Sequence, residues 1–164
     1  MDASALHCMI EIPKGSRNKY EWDASLQAIK LNRFLFSSVV YPTDYGFVID
    51  TLGEGGEALD ALVCVNEPTF PGCLIEVRVV GVLRMDDEEG RSDKLVCVPA
   101  DDPAWDPVED IDGLAEQLRT EIKHFYSMYK QPEGKQVDIH GWADRDAAEA
   151  AVEEGRRRYA ETQP

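Results

Sequence analysis

The longest strand-like stretch of the chain is residues 73–84, which read CLIEVRVVGVLR. Five of its residues are β-branched and no proline interrupts it, a pattern typical of a buried strand. Turn signals flank it at Pro71-Gly72 and at Gly90. Shorter strand-like runs lie on both sides, at residues 7–13, 26–31, 46–49, 61–65 and 94–98. Many short strands separated by turns predict a small barrel or sandwich.

The apolar period changes after Pro107. Helical spacing relates Ile111, Leu114, Leu118, Ile122, Phe125 and Tyr129, so we expect an amphipathic helix that ends before Pro132. A short strand is predicted at residues 136–140, and a second helix at about 144–161, with Asp144 at its start. The expected fold class is α+β and β-rich, with helices packed outside the strands.

Length and charge limit the classes of function. The chain has 164 residues, 17 Lys and Arg, and 32 Asp and Glu, so its net charge is −15. This length predicts a single domain over residues 1–164. The negative field disfavours nucleic acids and anionic membranes as partners.

Several features predict a cytoplasmic location. No apolar run approaches the roughly 20 residues that span a bilayer. Residues 1–7 have no basic or apolar region, so we expect no secretory signal. The four cysteines, Cys8, Cys64, Cys73 and Cys97, form no CxxC pair and have no histidine at zinc-like spacing. We expect buried thiols, with a disulfide or metal role as the alternative.

Isolated cations stand among the acids in the loops of this acidic chain. Phosphoryl transfer uses such residues, because carboxylates hold metal ions while Lys, Arg and Tyr hold phosphate oxygens. Each residue alone is better explained as a solvated surface charge, so only convergence in space would make a site. The glycine-rich stretch at residues 53–60 fits either a metal loop or a hairpin turn, and it lacks the Lys-Ser/Thr of a P-loop.

Ten short segments occur in order along residues 8–145 and together form a pattern. They are residues 10–13 (IEIP), 19–21 (KYE), 33–34 (RF), 41–47 (YPTDYGF), 59–63 (LDALV), 84–85 (RM), 87–88 (DE), 98–99 (VP), 123–125 (KHF) and 129–130 (YK). In order and spacing, this set resembles the soluble family I inorganic pyrophosphatases of bacteria. The resemblance implies a five-stranded OB-like barrel with two main C-terminal helices. It also implies hydrolysis of diphosphate by metal-activated water, dependence on Mg²⁺ with Mn²⁺ as a substitute, and a homohexamer.

The resemblance also implies roles for residues that match family positions. The implied phosphate-binding set is Lys19, Arg33, Tyr45, Lys94, Tyr129 and Lys130. Metal ligands are implied at Asp60, Asp87, Glu11 and Glu88, while Glu21 and Tyr41 fall on other active-site positions. Catalysis is implied for Glu57, Asp60, Tyr45 and Lys94, with Glu57 orienting the attacking water.

Three positions depart from the family pattern. The family signature reads Asp-x-Asp-Pro-hydrophobic-Asp, and this chain has Gly55 and Glu57 at its first two aspartates. A third family aspartate, two residues before the loop lysine, is Ser92 here. Glycine supplies no side-chain ligand and a hydroxyl is a weak ligand for Mg²⁺, so a metal site is expected to be damaged. Glu54 or Asp93 is a candidate replacement.

Three interpretations therefore remain open. The chain is an inorganic pyrophosphatase with compensating ligands, or an enzyme of the same fold redirected to an organic diphosphate or another phosphorylated metabolite. The third possibility is a non-catalytic binding subunit.

Overall fold

Nine β-strands and two α-helices lie within residues 5–164, the part of the chain that this computed structural model describes. The first strands are β1 (Leu6–Ile12), β2 (Asn18–Asp23), β3 (Ala28–Phe34), β4 (Asp44–Val48) and β5 (Asp60–Val63). They are followed by β6 (Leu74–Asp87), β7 (Gly90–Arg91), β8 (Lys94–Pro99), α1 (Glu116–Met128), β9 (Asp138–Ala143) and α2 (Arg145–Thr162).

Five of these strands close into a barrel. β1 pairs with β4, β4 with β5, β5 with β8, β8 with β6, and β6 returns to β1. The pairing of β5 with β8 is parallel and the other four are antiparallel. The ring confirms the expected five-stranded barrel. Its central strand is β6, whose 14 residues also pair with β7 and β9, and which contains most of the stretch at residues 73–84.

The β2–β3 hairpin is the main addition to the predicted strands. The run predicted at residues 26–31 is displaced, since a turn occupies residues 24–27 and Gln27 adopts a positive φ of 53°. β2 was not predicted, because its sequence NKYEWD is largely polar and the hairpin stands apart from the main sheet. A strand with little buried surface has no apolar alternation to mark it.

The structure differs from the sequence prediction at the start of the first helix. The predicted helix started at Ile111, but Ile111–Gly113 forms a separate 3-10 helix, and Leu114 is extended with ψ of 136° before α1 begins at Glu116. Apolar residues keep the helical spacing across this break, so periodicity alone could not separate the two elements. β9 confirms a strand here, shifted from residues 136–140 to Asp138–Ala143. α2 is confirmed, with the Asp144 carboxylate accepting the Ala147 N–H at 3.0 Å.

The two helices cover opposite faces of the strands. Ile122 and Phe125 of α1 pack into one buried cluster with Leu62 of β5. Ala148 and Val152 of α2 pack into the other cluster with the neighbours of Leu62 along that strand. Alternate side chains of a strand point to opposite faces, so β5 is anchored on both sides at the point where the candidate site begins.

All four cysteines are free thiols, and Cys8, Cys64 and Cys97 are buried, as expected of small apolar residues. Across residues 5–164, no helix has the length and apolar character needed to cross a membrane. The expectation about a secretory signal concerns residues 1–7, of which residues 1–4 lie outside the described part.

Candidate functional site

Strand ends bring acids and a lysine to one edge of the barrel. Asp60 is the first residue of β5, Lys94 the first of β8 and Asp87 the last of β6. Because β5 and β8 run parallel and β6 runs antiparallel to β8, these three strand ends meet at the same edge. Residues far apart in sequence thus become neighbours through sheet topology.

The Lys94 ammonium is the centre of this edge. Its Nζ donates to Asp60 Oδ2 at 2.9 Å, to Ser92 Oγ at 3.0 Å and to the Tyr45 hydroxyl at 3.4 Å. The Lys94 side chain is only 6% exposed. The three oxygens therefore satisfy all three donors of a buried ammonium.

A second lysine holds the neighbouring acids. Lys130 Nζ donates to Glu88 at 3.0 and 3.2 Å and lies 3.7 Å from Asp87. Lys135 adds a longer contact of 3.7 Å to Glu88. Burial opposes the charge of Lys130, but Tyr129 and Glu88 outweigh it and raise the pKa of the ammonium.

Lys19 and Arg33 face each other across the β2–β3 hairpin, as direct partners in the strand register. Burial, followed by the charges of Arg33 and Lys130, lowers the pKa of Lys19. Arg33 also pairs with Glu133 at 3.3 Å, yet its buried Nε has no acceptor in the described structure. Lys19 and Arg33 repel each other, and the Arg33 Nε lacks an acceptor within residues 5–164. This surface is therefore suited to a multiply charged anion.

The remaining predicted residues border this surface. Burial is the main cause that raises the pKa of Glu11 to about 7, although its carboxylate accepts the Trp22 N–H at 2.8 Å. Tyr41 is buried against Phe125, with a distance of 4.5 Å between ring centroids. Burial also raises the pKa of Tyr129, which lies within electrostatic range of Lys94 and Lys130. These hydroxyls stay protonated and can donate hydrogen bonds at neutral pH. Glu21 lies within electrostatic range of Glu11 and Lys19, and its carboxylate accepts the Asn32 amide at 2.9 Å.

A cavity of about 520 Å³ adjoins the acidic edge. Gly55, Glu57, Asp60, Asp87 and Ser92 all line it. Glu57 is exposed, so its carboxylate reaches the cavity without being held in place. The structure therefore brings the residues of the altered signature to the same space as Asp60.

Sequence reasoning missed three arginines that line this cavity: Arg84, Arg91 and Arg158. They come from β6, β7 and α2, so no local motif connects them. Asp93 is engaged by the first two, at 3.0 Å from Arg84 and 2.8 Å from Arg91, and it also accepts the Met85 N–H at 3.2 Å.

Comparisons with known proteins agree with this geometry. A family model described as inorganic pyrophosphatase matches residues 8–160. The chain belongs to the inorganic pyrophosphatase family. Among its relatives, an inorganic pyrophosphatase of Streptomyces coelicolor is 54% identical over 92% of this chain and 93% of the relative. One of Methanosarcina acetivorans is 52% identical over 93% of this chain and 91% of the relative.

Solved structures of pyrophosphatases share the fold along nearly the whole chain. The inorganic pyrophosphatase of Thermus thermophilus is 44% identical, with a TM-score of 0.93 over 98% of this chain and 95% of that one. The Helicobacter pylori enzyme is 39% identical, with a TM-score of 0.93 over 97% and 95%. The barrel and the two helices therefore belong to a pyrophosphatase fold.

The family implies a resident metal ion, and the donor set of this chain does not fit one. Within residues 5–164, no three His, Cys, Asp or Glu side chains are placed to hold a common metal ion. Asp60 is paired with Lys94, whereas Asp87 and Glu88 are paired with Lys130. Neither candidate replacement joins Asp60. Asp93 is held by arginines, and Glu54 is 78% exposed and lies 3.8 Å from Arg158.

Proposed function

We propose that this chain hydrolyses inorganic diphosphate to two phosphate ions, the activity for which its relatives are named. The observation that carries the proposal is the convergence of Lys19, Arg33, Lys94 and Lys130 in a molecule of net charge −15. Clustered cations repel one another, so the site is stabilised by a ligand that carries several negative charges. A compact diphosphate anion supplies them.

The proposed binding follows from the donors that face the site. Arg33 has a buried Nε that needs an acceptor, and a phosphate oxygen supplies one. The Lys19, Lys94 and Lys130 ammonium groups add point charges, and the Tyr45 and Tyr129 hydroxyls add neutral donors. The cations stabilise the charge that develops on the phosphate oxygens in the transition state.

The proposed hydrolysis requires one water molecule. Its oxygen attacks one phosphorus, and the bond from that phosphorus to the bridging oxygen breaks. One hydrogen of the water stays on the new phosphate and the other passes through a carboxylate to the leaving phosphate, so that two hydrogen phosphate ions form. Glu57 and Asp60 line the cavity, and Asp60 also contacts Lys94. These two carboxylates are proposed to orient this water and accept its proton. The proposed substrate is the complex of diphosphate with Mg²⁺, with Mn²⁺ as a substitute. Glu11, Asp87 and Glu88 are the further carboxylates proposed to face that complex.

The test is release of phosphate from diphosphate, measured with Mg²⁺, with Mn²⁺ and with chelator. We expect phosphate release to depend on the metal ion, because the proposed substrate is the complex of diphosphate with that ion. If diphosphate binds but no phosphate forms, the proposal fails, and organic diphosphates are the next substrates to assay.

The proposal extends to assembly and location. Six copies per assembly and a cytoplasmic location are proposed. Large exposed apolar side chains such as Phe36, which is 72% exposed, and Leu26, which is 62% exposed, support self-association. Four free thiols are typical of a reducing compartment.

A further inference from the structure

We infer that the Lys94 ammonium takes the place of a resident metal ion, so that a divalent cation binds this chain tightly only together with diphosphate. The inference deepens the proposed function and rests on it for the identity of the anion. Asp60, Asp87, Glu88 and Asp93 are already paired with lysines or arginines, so they do not form a set of ligands for a metal ion.

At Asp60, the Lys94 ammonium opposes the binding of a metal ion. A divalent cation bound to this carboxylate would lie within a few ångströms of the Lys94 ammonium, which is 2.9 Å from Asp60 Oδ2. Repulsion between these charges is strong because Lys94 is buried and poorly screened. In the free protein, turning Lys94 away from Asp60 would also break its hydrogen bonds to Ser92 and Tyr45. The free protein therefore binds a metal ion only weakly at Asp60.

The neighbouring acids are also paired with a lysine. Lys130 contacts both Asp87 and Glu88, and its side chain is only 11% exposed. The two lysines thus neutralise the carboxylates at the end of β6 and the start of β5. A metal ion would have to displace an internal cation from each of them.

Asp93 and Glu54, the candidate replacement ligands, do not take the place of these carboxylates. Asp93 is bound by Arg84 and Arg91 through one oxygen and by the Met85 N–H through the other. Releasing it would leave two arginines and a backbone donor without their acceptor, which is costly. Glu54 is largely exposed and faces Arg158. Neither acid completes a site with Asp60.

Diphosphate changes this balance. Its oxygens accept hydrogen bonds from Lys94 and Lys130, which weakens their hold on Asp60, Asp87 and Glu88 and adds phosphate oxygens as metal ligands. Each ligand therefore raises the affinity for the other by the same factor, as thermodynamic linkage requires. The loaded site forms when anion and metal are both present.

The experiment measures binding of Mn²⁺ by electron paramagnetic resonance, with and without imidodiphosphate, a diphosphate analogue with a nitrogen bridge. Equilibrium dialysis of the same samples separates metal bound to protein from metal bound to free analogue. We expect weak binding to the protein alone, and binding at least tenfold tighter with the analogue. Tight binding to the protein alone would overturn the inference, as would an effect of the analogue below threefold.

A matched pair of double variants tests the cause. Gly55→Asp with Ser92→Asp places two new carboxylates in the cavity that Asp60 lines, and Gly55→Asn with Ser92→Asn adds neutral side chains of the same size. A Cβ at residue 55 meets no atom within 4 Å, so there is room for either side chain at that position. We expect the Asp pair to bind Mn²⁺ at least tenfold more tightly than the Asn pair without the analogue. Equal binding by the two pairs would overturn the inference.

Phosphate release from the wild-type chain separates the two proposals. A chain that shows the expected metal binding but releases no phosphate supports the inference and contradicts the proposed function. A chain that releases phosphate and also binds Mn²⁺ tightly on its own contradicts only the inference.

Discussion

Glu11 is a carboxylate whose buried position disfavours its charge. Burial raises its pKa from 4.5 to about 7. Because this pKa lies above that of the unfolded chain, the folded protein binds more protons between about pH 4.5 and 7. The free energy of unfolding attributable to Glu11 is therefore fully present below pH 4.5 and is lost as the pH rises through 7.

Glu11→Gln should remove this dependence. Glutamine keeps an acceptor for the Trp22 N–H but does not ionise. Between pH 5 and 8, in the absence of metal and diphosphate, we expect the variant to gain up to about 3 kcal/mol relative to wild type. Urea unfolding across this range measures it. Curves for the two proteins that stay parallel from pH 5 to 8 would contradict the assignment.

Arg33 is proposed to contact the substrate rather than to stabilise the fold. Arg33→Gln should raise the KM for diphosphate about tenfold, since one charge-assisted hydrogen bond to phosphate is worth roughly 1.4 kcal/mol or more. Lys30→Gln is the matched control, because Lys30 lies on the same strand and makes only an exposed contact of 3.6 Å to Asp23. Steady-state kinetics on both variants check the prediction. An equal KM in the two variants would show that Arg33 does not touch substrate.

Residue types at the site could be read from the sequence, but their pairing could not. The positions of Lys94 and Asp60 follow from the resemblance, yet their contact of 2.9 Å depends on the parallel register of β5 and β8. Asp93 was a candidate metal ligand because it stands one residue from Ser92. Its ion pair with Arg84 depends on the β6–β7 turn. The two residues are nine positions apart in sequence, and the turn brings their side chains into contact.

At the scale of elements, α2 supports the loop that carries the altered signature. The Leu52 N–H donates to the Gly155 carbonyl at 3.0 Å, and a Cβ on Gly155 would lie 2.7 Å from Leu59 Cδ1. Leu59 directly precedes Asp60, so the close approach of helix and loop sets the position of that carboxylate.

Gly155→Val should therefore act on the site from a distance. We expect kcat/KM to fall at least tenfold, since displacements of about 1 Å can cost as much as a hundredfold. Ala150→Val, at an exposed position of the same helix, controls for the lower helix propensity of valine. Kinetics and thermal unfolding of both variants check the prediction. Equal activity of the two variants at 25 °C would indicate that α2 does not position the loop.

The buried strand β6 was predictable from its apolar residues, whereas the hairpin strand β2 was not. β6 has a nearly continuous row of buried residues, and its apolar sequence made it visible. β2 has no buried residue, and its pairing with β3 depends on a turn at Gln27 that no glycine or asparagine announces. The break before α1 was missed because Leu114 remains buried in the same cluster as Ile122. Burial kept the apolar spacing even where the helix did not continue.

For the whole molecule, the exposed apolar side chains concentrate in one segment. Leu26, Leu31, Phe34, Phe36 and Val40 are all at least 44% exposed and lie within 15 residues of one another. A chain of net charge −15 is otherwise well solvated, so this segment is the best candidate for contact between copies. The same charge separates copies unless apolar burial offsets the repulsion, which makes assembly sensitive to this segment and to salt.

Light scattering coupled to gel filtration tests the assembly. With a chain mass of 18.4 kDa, six copies correspond to about 110 kDa, since 6 × 18.4 is 110.4. We expect this mass at 0.15 M salt and a smaller one for Phe36→Ser, which removes the most exposed large apolar side chain, at 72%. Phe70→Ser, outside the segment, is the matched control and should retain the wild-type mass. A wild-type chain that remains at 18.4 kDa at every concentration would contradict the proposed assembly, and a lower mass for Phe70→Ser alone would move the contact away from residues 26–40.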